Sequence, residues 1–282
     1  MKILSFGAGM QSTALALMSC QNAAAKHAGR AQPYPLVPIY DSVIFCDLGF
    51  EPPWVAQQEE FVHGACDSVG IAYKKLAAPL YQDLTRDFGK KRVVSIPWWT
   101  LSEDGHKAKM PRNCTLDYKV QVISKYVRWE VLGYKKGQRL HIEDKKAHEM
   151  HMGFGFEEQK WCKENPNPLF VNRFPLVEMK LERKDNYAYI KNVWGLETKA
   201  SACCFCPFHR NYFFAYLKEK EPDTYRELIK VDKLLAENSP KPPMESKLFI
   251  SRSRKRIAEL LPEECRDAEC FLYRGVPVWN GF

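Results

Sequence analysis

The sequence lacks any long apolar stretch, and none of its runs approaches the roughly 18 consecutive apolar residues of a membrane-spanning helix. It also lacks internal repeats and low-complexity tracts. Its N-terminus passes from a short apolar run directly into glycines, which is not the pattern of a signal peptide. These absences argue against a membrane protein, a fibre and a repeat array, and we expect a cytoplasmic protein.

The composition is that of an ordered chain with a sizeable core: 45% of the 282 residues are hydrophobic and 27% are charged. Lys and Arg total 42 against 34 Asp and Glu, and the resulting net charge of +8 favours anionic partners such as nucleotides or nucleic acid. Ten cysteines without a signal peptide indicate reduced thiols, some packed and some ligating metal, more than a disulfide framework.

Strand patterns alternate with helix patterns along most of the chain. The predicted strands are 2–5, 42–46, 71–76 and 149–156. The predicted helices are 11–18, 55–68, with Pro52-Pro53 where this helix would begin, and 118–132. This alternation predicts an α/β fold with a doubly wound parallel sheet covered on both faces. We expect this domain to span 1–200, followed by a smaller, mainly helical, cysteine-bearing region over 201–282.

A glycine-rich turn joins the first predicted strand to the first predicted helix. It lacks the third glycine of the dinucleotide fingerprint and the Gly-Lys-Ser/Thr of a Walker loop. Glycines permit close approach of the backbone, and a helix N-terminus offers N–H groups to an anion, so the turn predicts phosphate binding. The alternative is a plain connection. The predicted binding residues of the turn are Ser5, Gly7, Gly9, Gln11, Ser12 and Thr13.

The turn resembles the PP-loop, the Ser-Gly-Gly-x-Asp-Ser signature of ATP pyrophosphatases and phosphoadenylyl-sulfate (PAPS) reductases, with Gln11 in place of Asp. The stretch VIFCDLGFE over 43–51 resembles the second strand of that family, with Leu48 in place of Thr, and makes Asp47 the adenosine-side candidate; the alternative is a helix cap. The stretch MGFGFEE, with Gly153, resembles its third nucleotide-facing strand, and 173–185 its RxPL…R-x-D segment. The resemblance implies a HUP-type fold.

A Cys-x-x-Cys pair, Cys203 and Cys206, has the spacing that lets two thiolates bind one metal or cluster. Cys114 lies just before a predicted helix, whose dipole favours a thiolate, and is the third candidate ligand. The segment around it is similar to the Cys-(Cys/Thr)-x-x-(Arg/Tyr)-Lys-Val stretch of sulfonucleotide reductases, which implies a [4Fe-4S] cluster; zinc is the alternative. The fourth ligand stays open between Cys204, His209, Cys265, Cys270 and a substrate sulfur. Packing without any metal is also possible.

Glu269-Cys270 resembles the Glu-Cys-Gly of PAPS reductases, whose thiolate attacks the sulfonate, with Phe271 in place of Gly. Cys270 is therefore a candidate nucleophile. Basic residues at 252–256 and aromatic residues between lysines, such as Trp99, could bind nucleic acid or could belong to amphipathic helices.

Together these features predict an enzyme that cleaves ATP between the α and β phosphates with Mg²⁺ and adenylates an acceptor, coupled to sulfur transfer. Lys119 and Arg183 are the candidate charge partners of the phosphates. The acceptor would be a small molecule or nucleic acid (DNA or tRNA), and a sulfur-donor protein is a possible partner. One alternative is a reductase of PAPS or APS that uses Cys270 and thioredoxin. The other is a nucleotide- or nucleic-acid-binding module without turnover.

Overall fold

The computed structural model describes residues 1–88, 96–240 and 245–265, and beyond these only the backbone of two short strands at 272–273 and 276–277. The strands are β1 (Lys2–Phe6), β2 (Ser42–Asp47), β3 (Ala72–Ala77), β4 (Trp99–Leu101), β5 (Lys107–Lys109), β6 (His148–Met152), β7 (Phe170–Arg173), β8 (Lys247–Phe249), β9 (Leu272–Tyr273) and β10 (Val276–Pro277). The helices are α1 (Met10–His27), α2 (Pro53–Ser68), α3 (Leu80–Asp87), α4 (Gln121–Lys125), α5 (Pro175–Glu178), α6 (Arg183–Trp194), α7 (Asn211–Lys220) and α8 (Pro222–Glu237).

Five parallel strands form the central sheet in the order β3-β2-β1-β6-β7. Strand β1 is central, and its Ser5 lies opposite Ile44 on one side and Met152 on the other. Strand β2 is buried over 42–46, as expected of a parallel strand covered on both faces. The predicted α/β class and parallel sheet are confirmed.

The connections are compatible with a doubly wound sheet. The chain moves outward from β1 through α1, β2 and α2 to β3, and then returns past β1 to β6. Because crossovers between parallel strands are right-handed, this reversal puts the two sets of connections on opposite faces. Helix α1 contacts both α2 and α6, whereas α4 contacts β2. Two π-helical turns lengthen α4, one before it at Leu116–Val120 and one after it at Tyr126–Val131. The direction reverses between β1 and β6, and such a point opens a crevice at the carboxyl ends of the strands.

Two predicted elements, the first helix and the strand 149–156, have different bounds in the structure. Helix α1 continues to His27, well beyond the predicted end, because its Ala-rich second half remains buried. Helix α2 begins at Pro53, where the Pro52-Pro53 pair predicts a helix start, since proline suits the first turn of a helix. The predicted strand 149–156 ends at Met152, where Gly153 meets the start of α1 and the chain leaves the sheet.

The remaining described strands link the two predicted regions. Strand β4 pairs antiparallel with β5 and with β8, so residues before and after position 200 share a three-stranded sheet. Phe213 and Phe214 of α7 and Leu228 of α8 belong to the same buried cluster as the central sheet. The boundary at 200 stays a prediction. No helix among the described residues is long and apolar enough to span a membrane.

Candidate functional site

The glycine turn lies at the carboxyl end of β1, where the strand order reverses. Helix α1 begins after Gly9 without a side-chain cap and without an acidic residue in its first turn. The Ser12 hydroxyl accepts a hydrogen bond from the Gly7 N–H (3.2 Å) and donates to the Gly9 carbonyl (3.1 Å), which fixes the turn from inside. An uncapped N-terminus of an 18-residue helix attracts anions, so the turn has the properties that phosphate binding needs.

Gly153 brings the end of β6 onto the same helix start. A Cβ at this position would lie 2.5 Å from the Ser12 nitrogen and 2.8 Å from the Ser12 Cα, and backbone atoms of a helix cannot yield to it. Glycine is therefore required for the two chain segments to meet. Ser5 is half-buried within β1, whereas Thr13 is fully buried and its Oγ1 has no hydrogen-bond partner among the described residues.

Gln11 and Arg183 meet at one carboxylate. The Gln11 amide donates to Glu158 (2.9 Å), which also accepts from the Gly155 N–H (3.1 Å) and lies 3.5 Å from the Arg183 guanidinium. Burial raises the pKa of Glu158, and Arg183 opposes the rise. The predicted residues Gln11 and Arg183 thus lie together on the β6 side of the turn, joined by a carboxylate that the sequence analysis had not singled out.

Asp47 ends β2, the neighbour of β1 in the sheet. Its carboxylate accepts a hydrogen bond from the Gly49 N–H (2.9 Å) and lies 3.5 Å from the Lys75 ammonium. Helix α2 begins without a side-chain cap, so Asp47 does not cap it. Asp47 therefore lies at the same end of the sheet as the glycine turn, and its role beside the adenosine stays a prediction.

Glu51 was missed as a site residue. Its Oε1 is buried without a hydrogen-bond partner among the described residues, and burial raises the pKa of the carboxyl to about 7, against the opposing effect of Lys119. Lys119 also lowers the pKa of the Cys206 thiol, and its carbonyl lies 3.9 Å from the Cys46 sulfur. Lys119 therefore lies between the end of β2 and residues 199–206, which we call the cysteine segment. The acidic end of VIFCDLGFE was visible in the sequence, but its burial was not.

The Cys203 and Cys206 side chains are hydrogen-bonded to each other. This hydrogen bond is the largest cause that raises the pKa of Cys203, and burial is the second. The same bond lowers the pKa of Cys206, and the Phe208 N–H and Arg112 lower it further. Cys114 is close enough to both thiols to interact with them electrostatically. The structure thus brings together the three predicted ligands from two distant parts of the sequence.

The three thiols do not form a ready metal site. In residues 1–88, 96–240 and 245–265, no group of three His, Cys, Asp or Glu side chains is arranged to hold a metal ion. A zinc ion or an iron–sulfur cluster at these thiols therefore stays a prediction, and no step below depends on it.

Two of the proposed fourth ligands have other partners. The His209 Nε2 is 2.9 Å from the Cys203 carbonyl oxygen, and its ring stacks on Phe213 at 3.5 Å. The Cys204 thiol is buried and interacts with Glu51. The Cys265 side chain and all of Cys270, the candidate nucleophile, lie outside the described residues.

The cysteine segment packs directly on the glycine turn. Gln58 of α2 donates from its amide to the carbonyls of Ala8 and Lys199, and the Lys199 N–H donates back to it. A Cβ at Gly9 would lie 2.8 Å from the Ser201 hydroxyl oxygen. The residues that directly precede Cys203 therefore contact the glycine turn.

Comparison of the chain with protein-family models, with curated proteins and with solved structures finds no match in any of the three. The functional assignment therefore depends on the geometry and chemistry of this site.

Proposed function

We propose that this chain is a HUP-type, PP-loop enzyme that binds ATP at the glycine turn, cleaves it between the α and β phosphates and adenylates an acceptor. The observation that carries the proposal is the uncapped start of α1, held between β6 and the cysteine segment. Backbone N–H groups at such a start bind phosphate oxygens, and the contacts at Gly9 and Gly153 hold them in one arrangement.

The reaction requires positive charge around the phosphates. In the proposed step an acceptor oxygen attacks the α-phosphorus, the bond to the bridging oxygen breaks, and pyrophosphate leaves with the electron pair. Arg183 on the β6 side and Lys119 on the β2 side would stabilise the developing charge. Asp47 and Glu158 are carboxylates of the kind that would hold Mg²⁺ together with the phosphates, and the ion would neutralise phosphate charge when bound.

Sulfur transfer is the second half of the proposal, and the thiol pair supports it. Cys206, whose pKa is lowered by the Cys203 thiol, is the stronger nucleophile of the two at neutral pH. The chain segment that leads to Cys206 contacts the glycine turn at Ser201. In the proposed step a sulfur-donor protein leaves its sulfur on Cys206 as a persulfide, which attacks the adenylated carbon of the acceptor while AMP leaves. Cys203 then attacks the Cys206 sulfur, which releases the thiolated acceptor and leaves a Cys203–Cys206 disulfide for an external thiol to reduce. No metal is required for this role.

Binding and cleavage of radiolabelled ATP with Mg²⁺ test the proposal. We expect equilibrium dialysis to show binding, and turnover to yield AMP and pyrophosphate in equal amounts. Lys119→Met and Arg183→Met should each lower the affinity for ATP and the rate of ATP cleavage. Lys125→Met serves as the control, because Lys125 is an exposed lysine on the same helical segment as Lys119. ADP with phosphate as products, or no ATP binding, would contradict the proposal, and sulfite release from PAPS would replace it by the reductase alternative.

A further inference from the structure

A groove of about 750 Å³ lies beside the cysteine segment, on the side of the three-stranded sheet. Trp99 of β4 and Phe208 line it, together with the basic residues Lys109, Arg210 and Arg252. The ATP site proposed above uses none of these residues. Basic side chains attract an anionic ligand and aromatic rings stack on flat groups, so we expect a ligand that has both properties.

Several basic side chains at the groove lie close to the aromatic rings of Trp99 and Phe208. The Lys109 ammonium lies 4.5 Å from the centre of the Phe208 ring and 5.5 Å from that of Trp99. The guanidiniums of Arg252 and Arg254 lie 5.6 Å and 5.4 Å from the Trp99 centre. Arg254 is fixed there, since it donates to the backbone carbonyls of both β4 and β5.

One acidic residue lines the groove as well. Glu264 lies at its edge, where its carboxylate is 2.9 Å from the Lys255 ammonium and accepts a hydrogen bond from the Leu261 N–H. Its charge is therefore compensated by Lys255, and the groove keeps a positive surface. A lining of rings and guanidinium planes that carries several positive charges is the combination that binds single-stranded nucleic acid, through base stacking and phosphate contacts.

The groove is continuous with the thiol pair. The Trp99 indole donates to the Pro207 carbonyl (2.7 Å), and the Phe208 N–H donates a hydrogen bond to the Cys206 sulfur. Arg112 lies 5.3 Å from the centre of the Phe208 ring and also lowers the pKa of Cys206. A strand lying in the groove would thus pass next to the residues that the proposed function uses for sulfur chemistry.

We propose that this groove binds a single-stranded stretch of nucleic acid and presents it as the acceptor of the reaction. The acceptor class rests on the proposed function, whereas binding in the groove can be tested without it.

The test measures binding by fluorescence anisotropy, with labelled RNA and DNA single strands of about 12 nucleotides and the matching duplexes, over a range of salt concentrations. The charge variant is Lys109→Glu with Arg252→Glu, both exposed. At about 0.1 M salt each lost phosphate contact is worth about fivefold, so we expect binding to weaken by at least ~10-fold and the salt slope to fall by about 1.4.

Two further variants separate charge from stacking. Lys135→Glu with Lys145→Glu makes the same charge change at exposed residues that do not line the groove, and should leave affinity within about twofold. Phe208→Leu removes a ring but no charge. It should weaken single-strand binding by about 5-fold or more while the salt slope stays the same.

Equal loss in the groove variant and in the control, tighter binding of duplex than of single strands, or preference for polyglutamate over oligonucleotides would overturn the proposal. Dialysis with ATP separates the two claims. If the protein binds ATP but no oligonucleotide, only the proposal of nucleic-acid binding in the groove is refuted. If it binds oligonucleotide in the groove but no ATP, only the proposed ATP-dependent function is refuted.

Discussion

Glu51→Gln should change how the stability of the protein depends on pH. Burial raises the pKa of the Glu51 carboxyl from 4.5 to about 7 in the folded chain. Between these two values the folded state therefore binds more protons than the unfolded state, and the free energy of unfolding falls as pH rises. Above the folded pKa the loss is complete, because both states are then ionised. Glutamine keeps the shape of the side chain and removes this titration.

The size of the effect follows from the two pKa values. A difference of about 2.5 at 1.36 kcal/mol per pKa unit corresponds to at most ~3 kcal/mol. The wild-type protein should therefore lose up to ~3 kcal/mol of stability relative to the Glu51→Gln variant across this pH range. Lys119 already lowers the cost of ionising Glu51, so the value of about 7 includes its contribution.

Urea denaturation from about pH 5 to about pH 8 measures the difference between the two proteins. Glu60→Gln makes the same chemical change at an exposed position of α2, and should shift stability by no more than about 0.5 kcal/mol at any pH. A wild-type minus Glu51→Gln difference that is flat with pH, or that rises with it, would refute the assignment of a buried, protonated carboxyl.

Two other predictions concern the glycine contact and the thiol pair. Gly153→Ala should lower the free energy of unfolding by about 1–3 kcal/mol, because the added Cβ would lie 2.5 Å from the Ser12 nitrogen. Gly64→Ala in α2 is the control: its Cβ would meet open space, so the free energy of unfolding should stay unchanged or rise by up to about 1 kcal/mol. Thermal unfolding checks this, and equal melting temperatures would contradict it. Iodoacetamide at neutral pH should modify Cys206 before Cys203, because hydrogen bonding lowers the pKa of the first thiol and raises that of the second. Peptide mass spectrometry measures the order, and the reverse order would show that the pair is polarised the other way.

The central sheet was predictable because its signals are local. The strand patterns of β1 and β2, each followed by a turn and a helix, are contained within short windows of sequence. Strands β4, β5 and β8 are only three residues long each, and β8 pairs with β4 across a large sequence separation. No periodicity develops in three residues, so these pairings could not be predicted from the sequence.

The candidate site was predictable where a residue type implies its chemistry. The glycines of the turn and the Cys203-x-x-Cys206 spacing indicate close backbone approach and paired thiols wherever they occur. Glu51 and Glu158 were missed because a carboxylate in a sequence gives no sign of whether it will be buried. Burial and the positions of Lys119 and Arg183 determine how they ionise, and these depend on the tertiary fold.

The replacement of Asp by Gln11 in the PP-loop pattern has a structural counterpart. The Gln11 amide donates to Glu158 at 2.9 Å, so an aspartate at position 11 would point a second carboxylate at a partly buried one. Like charges at such a distance repel strongly, and one of the two would have to be protonated. With glutamine, the carboxyl group at the turn is that of Glu158, which contacts Arg183 and the Gly155 N–H. In the proposed PP-loop enzyme, the carboxyl group that the pattern places at the helix start is therefore supplied by Glu158, in the segment that follows β6.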